Sequence, residues 1–288
     1  MATAVVVSDE ERTRIHASSF SLVCGGLGLV IAGVGTFLSP GTTSGAGYLV
    51  STVGFVLIAV AIIAHVEHLS RRLGRPAVVL AIVSAVLLVV DNLPMALQPS
   101  RVADSGWIDY WNYVWAASAL CAAASLALAA MRKESRLVAR LAKGDSGAYE
   151  AEDFHSTVHA SFLSLVTGAV GFLLMAIGSL IIIGGGGPAA RLAWIVQTIS
   201  WVLIAVAIIA HMAHLSRSVG RLALVLAVIG LIVNALATVP ACIDPSGAGS
   251  IGPEVQWIAW GIANILTGIS AALVAVRRRA QDAGRAVA

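Results

Sequence analysis

Long apolar runs and short polar segments alternate along the whole chain. Eight of these runs reach about 20 residues, the length at which a helix crosses ~30 Å of hydrocarbon. The predicted spans are residues 17–38, 48–68, 77–98, 108–131, 158–183, 192–213, 222–243 and 255–276. A lone strand would leave its backbone groups unpaired in lipid, and the runs lack the alternation of a barrel. We therefore predict an all-α, polytopic membrane protein with eight transmembrane helices.

The composition agrees with this pattern. Of the 288 residues, 58% are hydrophobic and 11% are charged, whereas a typical soluble domain has about 25% charged residues. Such a composition excludes an ordinary water-soluble protein and a disordered chain. The formal net charge of +3 does not indicate nucleic-acid binding, because the basic residues lie between apolar runs and form no continuous face. The lipid bilayer is the expected partner.

The distribution of basic residues predicts the orientation in the membrane. Of the 18 lysines and arginines, all but two lie in the segments 1–16, 69–76, 132–157, 214–221 and 277–288, on one side of the spans. The opposite loops contain only Arg101 and Arg191. By the positive-inside rule, both the N-terminus and the C-terminus are cytoplasmic. We expect a multi-pass protein of the cell inner (plasma) membrane.

Four tryptophans lie near the outer ends of the fourth and eighth spans. They are Trp107, Trp111, Trp257 and Trp260. Tryptophan is enriched where a helix leaves the hydrocarbon for the headgroup region. We therefore expect these side chains to anchor the two helices at the outer interface.

An internal duplication divides the chain into two units. The ten residues from Val56 to His65 read VLIAVAIIAH, and those from Val202 to His211 are identical. Because each unit has an even number of helices, we predict tandem four-helix repeats related by a pseudo-twofold axis along the membrane normal. The predicted parts are a cytoplasmic N-terminus (1–16), a first repeat (17–131), a charged cytoplasmic linker (132–157), a second repeat (158–276) and a basic cytoplasmic tail (277–288).

Six of the seven histidines belong to this duplication. Each unit has one histidine at the start of its first helix and an HxxH pair at the cytoplasmic end of its second. These residues are His16, His65, His68, His159, His211 and His214. Residues three apart on a helix are neighbours on one face, so we expect each HxxH pair to lie side by side.

The clustered imidazoles predict a cofactor. Neutral imidazole is the common protein ligand of haem iron and of transition metals. We expect haem b, or Fe, Cu or Zn, to be bound by His65, His68, His211 and His214 at the cytoplasmic side, with the remaining two histidines of the duplication completing the sites. A redox or electron-transfer function follows, with a membrane oxidoreductase as the matching enzyme class. Its partner would be a quinone or a membrane redox protein.

The outline resembles haem A synthase, which also has eight helices in two four-helix units with paired histidines. The resemblance is architectural, because the glutamate-and-histidine motif of that family matches no position here. The nearest acid, Glu67, lies within HVEH and is replaced by Ala213 in HMAH. The spacing of His155 and His159 also resembles the boxes of membrane diiron hydroxylases, but the adjacent histidine pairs of those boxes are absent.

A second hypothesis rests on Asp91, an acid well inside the third span. An intramembrane ionisable residue is by default a functional candidate. Asp91 would be the ion or proton site of a secondary transporter or channel, and the histidines would form its inner gate. Asn92 and Pro94 beside it predict a locally broken helix with freed carbonyl groups.

The other polar and small residues within the spans predict helix packing. Gln197, Asn234 and Asn264 are expected to form hydrogen bonds between helices, and glycines such as Gly28 and Gly33 are expected to let helices approach closely. A third hypothesis, a scaffold subunit of a membrane complex, is compatible with the lack of a sizeable soluble domain.

Overall fold

The computed structural model describes residues 15–39, 45–101, 105–142, 160–183, 187–245 and 253–287. Within these ranges the chain forms ten α-helices and no strand. The helices are α1 (Ser19–Leu38), α2 (Ala46–Ile63), α3 (Val66–Leu73), α4 (Arg75–Leu97), α5 (Ser105–Ala142), α6 (Phe162–Ile182), α7 (Pro188–Ile209), α8 (Met212–Ser218), α9 (Arg221–Ile243) and α10 (Pro253–Val287). A short 3₁₀ turn, Pro99–Arg101, follows α4.

Eight of these helices are long and apolar enough to cross a membrane, which confirms the predicted number of spans for the described part of the chain. The two short helices, α3 and α8, join the second and third span of each half. Helices α5 and α10 continue beyond the predicted span ends at residues 131 and 276. The charged segments that follow are good helix formers, so nothing in them stops the helix.

The eight long helices form a closed ring. Each packs against the long helix before it and the long helix after it in the chain, and α10 packs against α1. Helix α1 runs in the direction opposite to both of its neighbours, because residue numbers rise along one helix as they fall along the other: Gly28 and Gly35 of α1 meet Gly54 and Gly47 of α2, and Gly26 and Gly33 meet Gly268 and Gly261 of α10. The ring therefore has an interior that all eight helices can line.

Glycine contacts draw α1 against both of its neighbours. A Cβ atom on Gly54 would lie 2.5 Å from the backbone oxygen of Gly28, and one on Gly33 would lie 2.7 Å from the backbone oxygen of Gly261. Real Cβ atoms do not come this close to a carbonyl oxygen, so the two backbones approach within a distance that only glycine permits. The prediction of close packing at these glycines is confirmed, and α1 is the helix that closes the ring.

The second span of each half ends earlier than expected. Helix α2 ends at Ile63, and His65 leaves the helical region with φ −116° and ψ 11° before α3 begins. His211 has nearly the same backbone geometry, φ −114° and ψ 10°, before α8. The chain then turns at Gly74 and Gly220, whose φ angles of +92° and +97° favour glycine. The HxxH pairs consequently lie outside the long helices, at a junction.

Hydrogen bonds recur at matching places in the two halves. In each half a serine of the first span donates to a backbone oxygen of the second, and a serine of the fourth donates to the start of the third. The pairs are Ser21 to Ala61 (2.6 Å) and Ser164 to Ala207 (2.6 Å), then Ser125 to Ala77 (2.7 Å) and Ser270 to Ala223 (2.6 Å). These bonds fix the same interhelical contacts in both halves of the ring.

The two ends of the ring differ in character. We call the end that carries His16, His65 and His211 the histidine end. We call the opposite end, where α4 ends at Leu97 and α7 begins at Pro188, the tryptophan end.

Candidate functional site

A cavity of about 240 Å³ lies inside the ring, towards the tryptophan end. Every one of the eight ring helices contributes to its wall. Its lining consists of Thr36, Ser51, Phe55, Asp91, Asn92, Trp111, Asn112, Trp115, Ile182, Trp194, Gln197, Trp201, Asn234, Trp257, Trp260 and Asn264. The wall therefore combines aromatic rings, uncharged polar groups and a single carboxyl group.

Tryptophan dominates this wall. Six of the seven tryptophans of the chain line the cavity. The prediction that Trp111, Trp257 and Trp260 anchor their helices in the lipid interface is wrong, because their side chains face the ring interior. The side chain of Trp107 lies outside the described part of the structure. An apolar helix is hydrophobic on every face, so the sequence pattern did not reveal which face turns inward.

Two of the tryptophans meet across the ring. Trp111 belongs to α5 and Trp257 to α10, helices on opposite sides of the ring, yet their rings stack with centroids 6.1 Å apart and an interplanar angle of 11°. Trp260 meets Trp257 edge to face at 5.6 Å, and Tyr48 of α2 does so at 6.2 Å. Such offset and edge-to-face pairs are the favoured geometries of aromatic contacts. This aromatic bridge connects the two halves inside the cavity.

Asp91 is fully buried in the cavity wall. Its residue exposure is 0%, and its Oδ2 atom accepts a hydrogen bond of 2.6 Å from the indole Nε1 of Trp111. Asn92 approaches the same oxygen at 3.5 Å while donating to the backbone oxygen of Leu88 at 3.0 Å. The other oxygen, Oδ1, has no hydrogen-bond partner among the described residues. Asp91 is also the one acidic or basic side chain in the described lining.

The helix that carries Asp91 is continuous. Helix α4 runs through Pro94 to Leu97, so the prediction of a locally broken helix is wrong. Proline lacks an N–H and leaves the carbonyl four residues earlier without its helical donor. That carbonyl belongs to Val90, and the hydroxyl of Tyr110 donates to it at 2.9 Å. A side chain of α5 therefore replaces the missing backbone bond and keeps Asp91 in a regular helix.

Amide side chains supply the remaining polar lining. Gln197, Asn234 and Asn264 all face the cavity. Gln197 Nε2 also donates to Ser179 Oγ of the neighbouring helix α6 at 3.3 Å, so the predicted interhelical bond is confirmed for this residue. The sequence of each span does not indicate that these three amides line the same cavity. Their common feature, an inward direction from different helices, exists only in the folded ring.

A hydrophobic cluster lies below the cavity, towards the histidine end. Trp115 and Trp201 line the cavity and also pack against a buried cluster that includes Met175, Ile204 and Leu231. Met175 is 2% exposed. Large apolar side chains at native packing density exclude water and solutes. The cluster therefore forms a floor beneath the cavity.

The histidine end brings together the three described histidines of the first half. The rings of His65 and His68 have centroids 4.7 Å apart, and the ring of His16 stacks on His68 at 5.6 Å. The expected proximity within the HxxH pair is confirmed here. The preceding residue Ile15 is buried against Ala223 of α9 and its backbone N–H donates to Gln281 at 3.1 Å. This segment thus lies over the histidine end of the ring.

Positive charges surround this histidine cluster. Burial, together with the guanidinium groups of Arg72 and Arg278, lowers the pKa of His65 below its usual value of 6.5. Burial also lowers the pKa of Arg72 to about 10, which leaves this side chain charged at neutral pH. His65 is consequently neutral at pH 7, the form that binds metals. Both positive charges oppose the binding of a metal cation, and that of Arg278 is partly compensated by its ion pair with Asp282 at 3.1 Å.

The histidines of the second half are described only in part. His211 lies at the start of α8, whereas His159 and the side chain of His214 fall outside the described part. Among the described residues, no three His, Cys, Asp or Glu side chains are arranged to hold a metal ion. The haem and metal assignments therefore stay predictions. No protein-family model, no curated protein and no solved structure matches this chain.

Proposed function

We propose that this protein is a secondary transporter that exchanges a cation for a proton at Asp91. The observation that supports this most is the position of Asp91: it is fully buried in the wall of a cavity inside an eight-helix ring, with one carboxyl oxygen unpartnered among the described residues. A buried carboxylate without a compensating charge is costly, so the group needs either a proton or a bound cation. Exchange between these two states is the chemistry of a cation–proton antiporter.

The two halves of the ring would supply the transport movement. We infer that they are tandem repeats related by a pseudo-twofold axis along the membrane normal, because they share sequence and matching hydrogen bonds. With the histidine end in the cytoplasm, the cavity faces the outer side and the floor at Met175 closes it inward. Rocking of one half against the other would then open the floor and close the tryptophan end. The inner membrane and the cytoplasmic termini belong to this proposal.

The exchange balances charge. A cation that enters from the outer side displaces the proton of Asp91, and the proton leaves to the same side. After the movement the cation dissociates towards the cytoplasm, and Asp91 takes up a proton there before the return. One monovalent cation is exchanged for one proton, so the cycle is electroneutral. The membrane potential should therefore not drive it.

Proteoliposomes with a trapped pH-sensitive dye test this proposal. We expect an outward-directed proton gradient to be dissipated faster when a transported cation is added outside, with NaCl, KCl and choline chloride as the probes. Asp91→Asn, which cannot exchange protons, should abolish the effect. Asp109→Asn is the matched control, because it makes the same change in α5 outside the cavity lining. No proton movement with any of the three salts would refute the proposal.

A second candidate function is haem or metal binding at the histidine end, with redox activity. The observation that favours it is the close approach of three imidazole rings, His16, His65 and His68, at 4.7 and 5.6 Å. The corresponding histidines of the second half, His159, His211 and His214, would form the matching site. A quinone or a membrane redox protein would be the partner.

Purified protein tests the second candidate directly. It predicts iron, copper or zinc near stoichiometric amounts, or a Soret band after haem is added. His65→Ala and His68→Ala should remove either signal. Metal-free protein that gains no Soret band would eliminate this candidate without affecting the antiporter proposal, because the two sites lie at different ends of the ring.

A further inference from the structure

The chemistry of the cavity identifies the class of cation that fits it. We propose that the ligand is a small organic ammonium ion with a hydroxyl group, of the size of choline. This inference rests on the proposed function for its transport role, although binding can be measured separately. It is supported by the charge of the wall, its aromatic surface, its unpartnered polar atoms and its volume.

The wall is suited to a positive ligand. Asp91 is the one acidic or basic side chain among the described lining residues, and its Oδ1 atom has no hydrogen-bond partner there. The Oδ2 atom is already bound by Trp111, which holds the carboxyl group in one orientation. A ligand cation beside Oδ1 would compensate the buried charge. An anionic ligand would be repelled, and a neutral one would leave the carboxylate uncompensated.

The aromatic surface favours an organic ammonium ion over a small inorganic ion. Indole faces attract cations through their negative π-surface, and clusters of aromatic rings are the common recognition device for quaternary ammonium groups. Hard inorganic cations instead require several oxygen ligands at short distances. Here six indoles line a cavity with one carboxyl group, and the Trp111 and Trp257 rings of its wall stack on each other. Methyl groups on nitrogen could contact these rings, whereas a hydrated sodium ion could not use them.

A second unpartnered atom predicts the hydroxyl group. Trp260 Nε1 is buried and has no hydrogen-bond acceptor among the described residues. An indole N–H in such a position normally finds a partner. Because Trp260 lines the same cavity as Asp91, a ligand oxygen could accept from it while the ammonium group lies beside the carboxylate. Amino alcohols carry these two features close together.

The volume of the cavity limits the ligand to about the size of choline. The cavity of about 240 Å³ corresponds to roughly eight water-sized groups at ~30 Å³ each. A choline-sized cation fills such a space. Cations larger than the cavity do not fit unless the ring opens.

Tryptophan fluorescence of the full chain in detergent tests the inference, because six of its seven tryptophans line the cavity. The probe is choline chloride, and its uncharged isostere 3,3-dimethylbutan-1-ol is the matched ligand control. We expect saturable quenching with choline and at least tenfold weaker binding of the isostere. The Asp91→Asn variant should weaken choline binding at least tenfold, and Asp109→Asn should change it less than twofold. The comparison of the two ligands uses the unmodified protein, so it remains valid if the Asp91 variant does not fold.

Three results would overturn the inference. Equal binding of choline and its isostere would mean that the cavity recognises shape and not charge. A saturable response to NaCl or KCl but not to choline would assign the site to inorganic cations, and proton exchange driven by those salts would leave the proposed function intact. No response to any probe would refute the ligand class. Conversely, charge-dependent choline binding without proton exchange would uphold the site and refute the transport cycle.

Discussion

The hydrogen bond between Trp111 and Asp91 predicts a measurable coupling in stability. Trp111→Phe removes the indole N–H that donates to Asp91 Oδ2 at 2.6 Å. A hydrogen bond inside a protein contributes about 1 kcal/mol to stability. Asp91→Leu removes the acceptor of this bond whether the carboxyl group is protonated or ionised. The sum of the two single losses should therefore exceed the loss in the double variant by about 1 kcal/mol.

Equilibrium unfolding in mixed micelles, followed by far-UV circular dichroism, measures this coupling without using tryptophan as the signal. Trp257→Phe is the matched control: this indole stacks on Trp111, and no hydrogen bond from it to Asp91 occurs in the described part. Its effect and that of Asp91→Leu should add within about 0.5 kcal/mol. If the Trp111 and Asp91 substitutions also add within that limit, the hydrogen bond does not hold the carboxyl group in its orientation.

Three further predictions concern the ring and its histidine end. Gly54→Ala should lower the free energy of unfolding by about 1–3 kcal/mol, because the new Cβ atom would lie 2.5 Å from backbone atoms of α1. Gly284→Ala is the control and should not destabilise the protein, because no atom lies within 4 Å of its new Cβ atom. The pKa of His65 is lower in the folded protein than in the unfolded chain, so the unfolded chain binds more protons below pH 6.5. The melting temperature should therefore fall as the pH drops below 6.5, and His65→Gln should make this fall smaller. Ser21→Ala and Ser164→Ala each remove a 2.6 Å bond to the next helix and should lower stability equally, by about 0.5–1.5 kcal/mol; clearly unequal losses would argue against equivalent halves.

The number and rough positions of the helices followed from the sequence because span length and hydropathy are local properties. The proximity of His65 and His68 also followed, although their helix is a separate short one that begins after a break at the first of them. The spacing of three residues brings their rings together both in the continuous helix that was predicted and in the short helix that is observed. Local spacing was therefore a sufficient guide wherever both partners lie within a few residues of each other.

The cavity could not be predicted in the same way. Asp91 was a candidate from its burial in a span, but its partner Trp111 lies 20 residues later on the next long helix. Trp257, which stacks on Trp111, comes from the opposite side of the ring. The rotation of each helix about its axis decides which side chains face inward, and uniformly apolar helices do not reveal it. The high share of tryptophan among the aromatic residues was the one signal of this site in the composition.

Counterflow of labelled choline in proteoliposomes tests the central claim most directly. Vesicles that contain unlabelled choline should accumulate external labelled choline transiently through the unmodified protein, and Asp109→Asn should do the same. Asp91→Asn should show no counterflow, because its side chain cannot compensate the ligand charge. Undiminished counterflow in the Asp91 variant would contradict the claim that this carboxyl group is the transport site, and its absence from the unmodified protein would contradict choline transport itself.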